Sequence, residues 1–295
     1  MSRYRFALIG GDLRSSRLKE ILERNGNIVV SYALEESNTG EYNRCAGLQE
    51  AVARGDIIIA SVPLTTDGVT LNAPFHTGEI LLEDVIRAVS KGKVFIAGAI
   101  PGFVQQKLEA KGVWVEDLLT RDDLAILNSV PTAEGAIQVA MEALPVTIQA
   151  LPVLVTGYGR VGKTLAGALK ALGAQVYVAV RKNRDAALAF AAGLQPYNYE
   201  NLYDILPKIQ LVYNTVPAKV ITADVMERLS GNCLIIDVAS NPGGVDTDSA
   251  SELGLRVIKA LSLPGKVAPY TAAENMLSVI YNIVHEKEGE VMGHA

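Results

Sequence analysis

Short apolar runs alternate along this chain with longer stretches of helical composition, and glycines and prolines punctuate the joins. In the first part, strands are predicted at Tyr4–Ile9, Ile28–Ala33, Asp56–Val62, Lys93–Ala97 and Val113–Glu116. Helices are predicted at Leu13–Asn25, closed by Gly26, and at Gly78–Ser90 and Gly102–Ala110, with a loop-rich stretch around a short polar helix over Gly40–Gly55. The run Ile57-Ile58-Ile59 is continuous and β-branched, the pattern of a strand buried on both faces of a parallel sheet. Alternation of this kind predicts a doubly wound α/β unit over residues 4–126.

A second unit repeats the pattern. Leu151–Thr156, Gln175–Val180, Gln210–Asn214, Leu234–Val238 and Val257–Lys259 read as strands, and Lys163–Leu172, Asn183–Ala192 and Tyr199–Leu206 as helices. Between the units, Pro131 suits the first position of a helix that runs to Leu144 and crosses from the first unit into the second. Thr271-Ala272-Ala273-Glu274 is a capping box for a final helix that returns to the first unit. The expected organisation is a substrate-side α/β domain of residues 1–130 plus 271–295 and a second domain of residues 131–270, with the substrate in the cleft between them.

Chemistry concentrates after the first strand of the second unit. Gly157-Tyr158-Gly159-Arg160-Val161-Gly162 sits between that strand and a helix, the context a Rossmann dinucleotide-binding turn requires. Gly157 serves the tight turn, Gly159 the approach of a pyrophosphate, and Gly162 the packing of helix on strand. The following strand ends at Arg181, 24 positions after Gly157 (181 − 157), with Lys182 and Arg184 beside it. An acidic residue there would hold a ribose hydroxyl, whereas arginine suits a 2′-phosphate, so NADP is expected over NAD. Asn214-Thr215-Val216-Pro217, Asp237 and Ala239 follow later strands, where a nicotinamide ring would rest.

Composition narrows the class. The chain has 295 residues, enough for two domains, with 49% hydrophobic residues and a net charge of −5, which gives no general basic footprint for nucleic acid. Cys45 and Cys233 lack metal-ligand spacing, no apolar run approaches membrane-spanning length, and a cytoplasmic protein without a metal is expected. In the first unit, three turns could present donors to an anionic substrate: Gly10-Gly11-Asp12-Leu13-Arg14, the stretch with Thr65 and Thr66, and Gly98–Gly102. Ser129 and Thr132 open the crossing helix as caps or as substrate contacts. Glu134 and Lys266 are candidates for proton transfer, and each reads equally well as a cap or surface charge. Only His76, His285 and His294 are present, none placed like the base of a hydroxy-acid dehydrogenase.

Arg121–Ile126, Asn128–Gly135, Gly157–Gly162, Asp237–Gly244 and Leu263–Pro269 together resemble the A subunits of dipicolinate synthases, most densely from Arg121 to Pro269 and least in the first 55 residues. The resemblance implies two domains arranged as in formate and hydroxy-acid dehydrogenases. It also implies NADP-dependent oxidation of dihydrodipicolinate, or of its hydroxytetrahydro precursor, during spore formation, with a flavoprotein-like B subunit, in the mother-cell cytoplasm. A homo-oligomer is expected as well. Making a pyridine from a dihydropyridine is driven by aromatisation, so alignment of the ring carbon with nicotinamide suffices and a His–Asp relay is dispensable. Two alternatives stay open: a nucleotide-binding subunit whose partner carries the chemistry, and an alanine- or shikimate-dehydrogenase-like enzyme.

Overall fold

The structure, a computed structural model, describes residues 4–34 and 44–293. Part of the loop-rich stretch from Gly40, and His294, lie outside the described residues. The described chain clusters into two compact units, dividing at Leu127/Asn128 and again at Val267/Ala268.

Unit 1 holds five strands, β1 (Arg5–Ile9), β2 (Ile28–Tyr32), β3 (Ile57–Ala60), β4 (Val94–Ala97) and β5 (Trp114–Asp117), in one parallel sheet of order β2-β1-β3-β4-β5. Its helices are α1 (Leu13–Arg24), α2 (Leu48–Arg54), α3 (Leu82–Ala88) and α4 (Gly102–Ala110). Successive strand residues face opposite ways, so Ala7, Ile9, Ile58, Ala60 and Phe95 pack in one core with Val52, Val85 and Leu108, while Phe6, Leu8, Ile57, Ile59 and Ile96 pack in another with Leu18 and Leu22. A helix α5 (Asp122–Ala143) follows. It starts well before the predicted position: Asp122 and Asp123 provide an acidic first turn, and Pro131 lies inside the helix. Pro131 has no backbone donor, so the i→i−4 bond it would make to Leu127 is absent from the helix.

Unit 2 contains β6 (Pro152–Thr156), α6 (Arg160–Ala171), β7 (Gln175–Val180), α7 (Asn183–Ala191), β8 (Gln195–Asn198), β9 (Leu211–Asn214), α8 (Ala223–Met226), β10 (Leu234–Asp237), α9 (Thr247–Glu252), β11 (Arg256–Lys259) and α10 (Leu263–Val267). All six strands are parallel, in the order β11-β10-β9-β6-β7-β8. Val153, Val155, Val178 and Tyr213 face a core shared with Ala136 and Ala140 of α5 and Leu165 and Leu169 of α6. Leu154, Tyr177, Val212 and Ile235 face the other, with Leu206, Ile221 and Met226. The predicted helix Tyr199–Leu206 is instead a pair of 3-10 turns, Tyr199–Asp204 and Leu206–Lys208.

The last helix, α11 (Pro269–Gly293), belongs to unit 1, where Ala273, Met276, Ile280 and Ile283 join the core around α1. It begins before the predicted Thr271 cap, because Pro269 takes a first position that needs no N–H and Ala272 already donates to Ala268 O at 2.9 Å. Arg121 is bound on both sides within unit 1: Nε and Nη2 donate to Asp123 at 3.1 and 2.9 Å, Nη1 and Nη2 to Glu286 of α11 at 2.8 and 2.9 Å. The two cysteines are both buried, Cys45 in unit 1 and Cys233 in unit 2. Burial raises the Cys45 thiol and pushes that of Cys233 up to about 12.

Candidate functional site

In unit 2 the strand order turns back at β6: β7 and β8 continue to one side, β9 to β11 to the other. A crevice opens beyond the carboxyl ends of strands at such a point, and ligands of doubly wound sheets bind there. β6 ends at Thr156, and Gly157 follows with φ of +87°, where a side chain would also lie 2.8 Å from Thr215 Oγ1 and Val216 Cγ2. A side chain at Gly162 would fall on the carbonyl oxygen of Gly157. Gly159 differs from both: a side chain there would meet nothing within 4 Å, so the protein leaves that space open. Gly159 is also the N-cap of α6 and supplies no side-chain cap. An open cradle at a positive helix end fits a pyrophosphate.

Around this turn, Tyr158 is buried, its phenol raised by desolvation, with Lys163 Nζ 5.6 Å from the ring centroid. Arg160 is exposed and Val161 half-buried. Arg181, Lys182 and Arg184 are all exposed beyond β7 and form no ion pair among the described residues. Val180 pairs with Asn198, so Arg181 continues alongside Tyr199 after β8, and its charge opposes the rise that burial imposes on the Tyr199 phenol.

Thr156, Asn214 and Asp237 sit side by side in register at the ends of β6, β9 and β10, all buried. Thr156 Oγ1 donates to Asn214 Oδ1 at 2.7 Å, and Asn214 Nδ2 donates to Asp237 Oδ1 at 2.7 Å. Asn214 also accepts from Val216 N at 3.2 Å and donates to Val216 O at 3.0 Å, which uses both hydrogens of its amide and two acceptor positions on its oxygen. Asp237 accepts in addition from Ala239 N and Gly244 N, each at 3.1 Å. The side chains of Asn214 and Asp237, read from sequence as cofactor contacts, are therefore turned inward to the protein. Thr215 Oγ1 likewise donates to Thr156 O at 2.7 Å, while Pro217 is exposed.

The three turns of unit 1 share a feature: each already holds one of the chain's own carboxylates. Asp12 caps α1, accepts from Arg14 N at 3.0 Å and forms an ion pair with Arg14 at 2.7 Å. The Arg14 guanidinium also donates to Val62 O, and the Gly11 amide donates to Asn72 O at 3.0 Å. Asp67 accepts from Thr70 Oγ1 at 2.5 Å, from Thr70 N at 2.8 Å, from Val69 N at 2.7 Å and from Thr65 Oγ1 at 2.9 Å, and these donors, the Thr70 hydroxyl first, hold it far below the usual carboxylate range. Thr66, next to it, is exposed. Asp117 accepts from Ala99 N at 3.0 Å and Ile100 N at 2.8 Å, filling the Gly98–Gly102 turn.

Ser129 shares a 2.8 Å hydrogen bond with Thr164 of α6, and Thr132 Oγ1 donates to Asn128 O at 2.7 Å. Both hydroxyls are thus engaged within unit 2. Glu134 on α5 and Lys266 on α10 are exposed. Between them in the packing, a side chain at Gly135 would lie 3.1 Å from both methyls of Val267 and 3.2 Å from Leu263 Cβ, so α10 rests on α5 at a glycine. His76 lies against Tyr32, ring centroids 5.4 Å apart, and His285 is exposed on α11. Among the described residues, no helix is long and apolar enough to cross a membrane.

Two family models match. Residues 5–119 match the N-terminal domain of the dipicolinate synthase A subunit, and residues 131–276 match the NAD binding domain of S-adenosyl-L-homocysteine hydrolase. The dipicolinate synthase A subunit of Bacillus subtilis (strain 168) is 32% identical over 291 residues, 97% of each chain. The crystal structure of the dipicolinate synthase A subunit from Bacillus halodurans superposes with a TM-score of 0.87 at 28% identity, covering 95% of this chain and 97% of that one. An L-alanine dehydrogenase shares the fold at TM-score 0.64 and 15% identity, over 95% of this chain and 88% of its own. Similarity to the Bacillus subtilis protein at this level of identity, sustained from one end of the chain to the other, makes this protein a member of the family of dipicolinate synthase A subunits.

Proposed function

We propose that this chain is an NADP-dependent oxidoreductase that converts dihydrodipicolinate, or its hydroxytetrahydro precursor, to dipicolinate, in concert with a B subunit in a spore-forming cell. The observation that carries the reading is the uncapped start of α6 above the open space at Gly159, with Arg181 at the end of the next strand. When bound, the nicotinamide cofactor takes up a hydride from a ring carbon of the substrate. This chain's part is to hold and orient. The amides of Gly159, Arg160 and Val161 receive the pyrophosphate, with Gly157, Tyr158 and Gly162 shaping the turn. Arg181 and Lys182 receive the 2′-phosphate, and the backbone of Thr215, Val216, Pro217 and Ala239 walls the nicotinamide end.

Oxidation of the dihydropyridine releases one hydride and one proton, and aromatisation drives both departures, so a weakly basic group or water suffices as proton acceptor. Glu134 and Lys266, exposed in unit 2, are the side chains proposed for that task. On unit 1, Arg14 and Thr66 are proposed to receive substrate carboxylate. The Nη1 of Arg14 has no acceptor among the described residues although Nε and Nη2 are engaged, and the Thr66 hydroxyl is exposed.

The test is NADPH formation, followed by absorbance, from dihydrodipicolinate and NADP+ with this chain alone and with its B subunit. NADPH formation by the two chains together, with NADP+ binding by this chain alone, is the expected result. Formation with no NADP+ binding by this chain gives the chemistry to the partner, and no formation in either case overturns the substrate.

A further inference from the structure

We propose that Asp237 is a positioning residue for the nicotinamide end of the site, acting through Asn214 and through two backbone amides and touching neither cofactor nor substrate. The proposal rests on reading unit 2 as the dinucleotide site. Asp237 is 3% exposed, and its carboxylate is met by three N–H donors: Asn214 Nδ2 and Ala239 N at Oδ1, Gly244 N at Oδ2. Asn214 is the last residue of β9, and Ala239 and Gly244 belong to the loop after β10. The Asn214 side chain also holds Val216 in the loop after β9, and the loops after β9 and β10 both leave the sheet at the carboxyl edge beside the turn Gly157–Gly162.

The loops are pressed together over this carboxylate. A side chain at Gly243 would lie 2.7 Å from Asp237 Oδ2, and one at Gly244 would fall on Val216 O and Asn214 Nδ2. Gly157 in turn abuts Thr215 and Val216. Asp237 thus ties the β10 loop to the β9 loop, which leans on the phosphate-binding turn, and Thr156 supports the chain of bonds from the far side. The phosphate end needs none of these bonds, since the open space at Gly159 and the amides of α6 belong to a different element. Loss of Asp237 therefore separates the two ends of the cofactor in their response.

The experiment uses Asp237→Asn in the full chain and two probes, NADP+ and 2′-phospho-ADP-ribose, which lacks the nicotinamide. An amide has the same shape but one acceptor oxygen, so in either orientation at least one N–H that the carboxylate accepted now faces an NH2 group. The expected result is binding of the nicotinamide-free probe within about twofold of wild type and NADP+ binding about tenfold weaker, with a matching fall in kcat. Should Asp237→Asn fail to fold, Thr156→Val removes only the outer bond of the row and is expected to give the same split at about threefold. Equal loss of both probes, or no loss of either, in a folded variant overturns the positioning role. Failure of wild-type protein to bind either probe overturns the dinucleotide reading on which it stands.

Discussion

Gly159 and Gly162 are three residues apart and equally small, yet substitution acts on them in different places. A side chain at Gly162 collides with the Gly157 carbonyl and so with the fold, whereas one at Gly159 meets only open space and its backbone is extended, with φ of −80°. Gly159→Val is accordingly expected to leave the stability within about 0.5 kcal/mol of wild type while abolishing NADP+ binding, read by thermal unfolding and by titration. A folded variant with normal affinity reduces the glycine turn to architecture. At the other end of the cofactor, Arg181 is exposed and has no ion-pair partner among the described residues, so its charge is available to a phosphate. Arg181→Asp replaces attraction by repulsion and is expected to lower NADP+ affinity by about 2–4 kcal/mol, narrowing or reversing the preference over NAD+. Titration of both nucleotides measures it, and unchanged NADP+ affinity removes Arg181 from the site.

At the scale of elements, the contact of α10 with α5 joins two of the stretches that carried the family resemblance, Asn128–Gly135 and Leu263–Pro269. The 3.1 Å and 3.2 Å approaches at Gly135 leave no room for a branched side chain. Gly135→Leu is expected to destabilise unit 2 by about 1–3 kcal/mol through overpacking, despite the better helix propensity of leucine. Denaturant unfolding gives the value, and a neutral result means that α10 is free to move off. Buried strands and their glycine turns were legible in the sequence because continuous apolar runs such as Ile57–Ile59 and the spacing of Gly157, Gly159 and Gly162 state their physical demands locally. β8 was not legible, since Gln195-Pro196-Tyr197-Asn198 is a half-exposed edge strand without an apolar run, nor were the short helices α8, α9 and α10. The inward commitment of Asn214 and Asp237 was also hidden. They lie 23 positions apart, and only the register of β9 on β10 brings amide to carboxylate.

For the molecule as a whole, acid is expected to loosen unit 1 through the bonds around Arg121. Its guanidinium holds Asp123 and Glu286 below their ordinary carboxylate values. Groups depressed in the folded state contribute fully above their unfolded values of about 4, and that contribution is lost as pH falls through the folded values. Both carboxylates are at least a third exposed, so water screens the interaction and the effect is a change of slope, not a collapse. Arg121→Gln is expected to flatten the loss of stability between about pH 5 and pH 3, measured by denaturant unfolding at each pH. An unchanged slope assigns the acid response elsewhere. The division of the chain also means that its two cysteines keep separate watch: each is buried in a different unit, Cys233 the more deeply. A thiol reagent reaches the Cys233 sulfur only when unit 2 opens, and the Cys45 sulfur after a more local opening of unit 1. Labelling kinetics resolved by site would thus clock the breathing of the two halves independently, with no probe engineered into the protein.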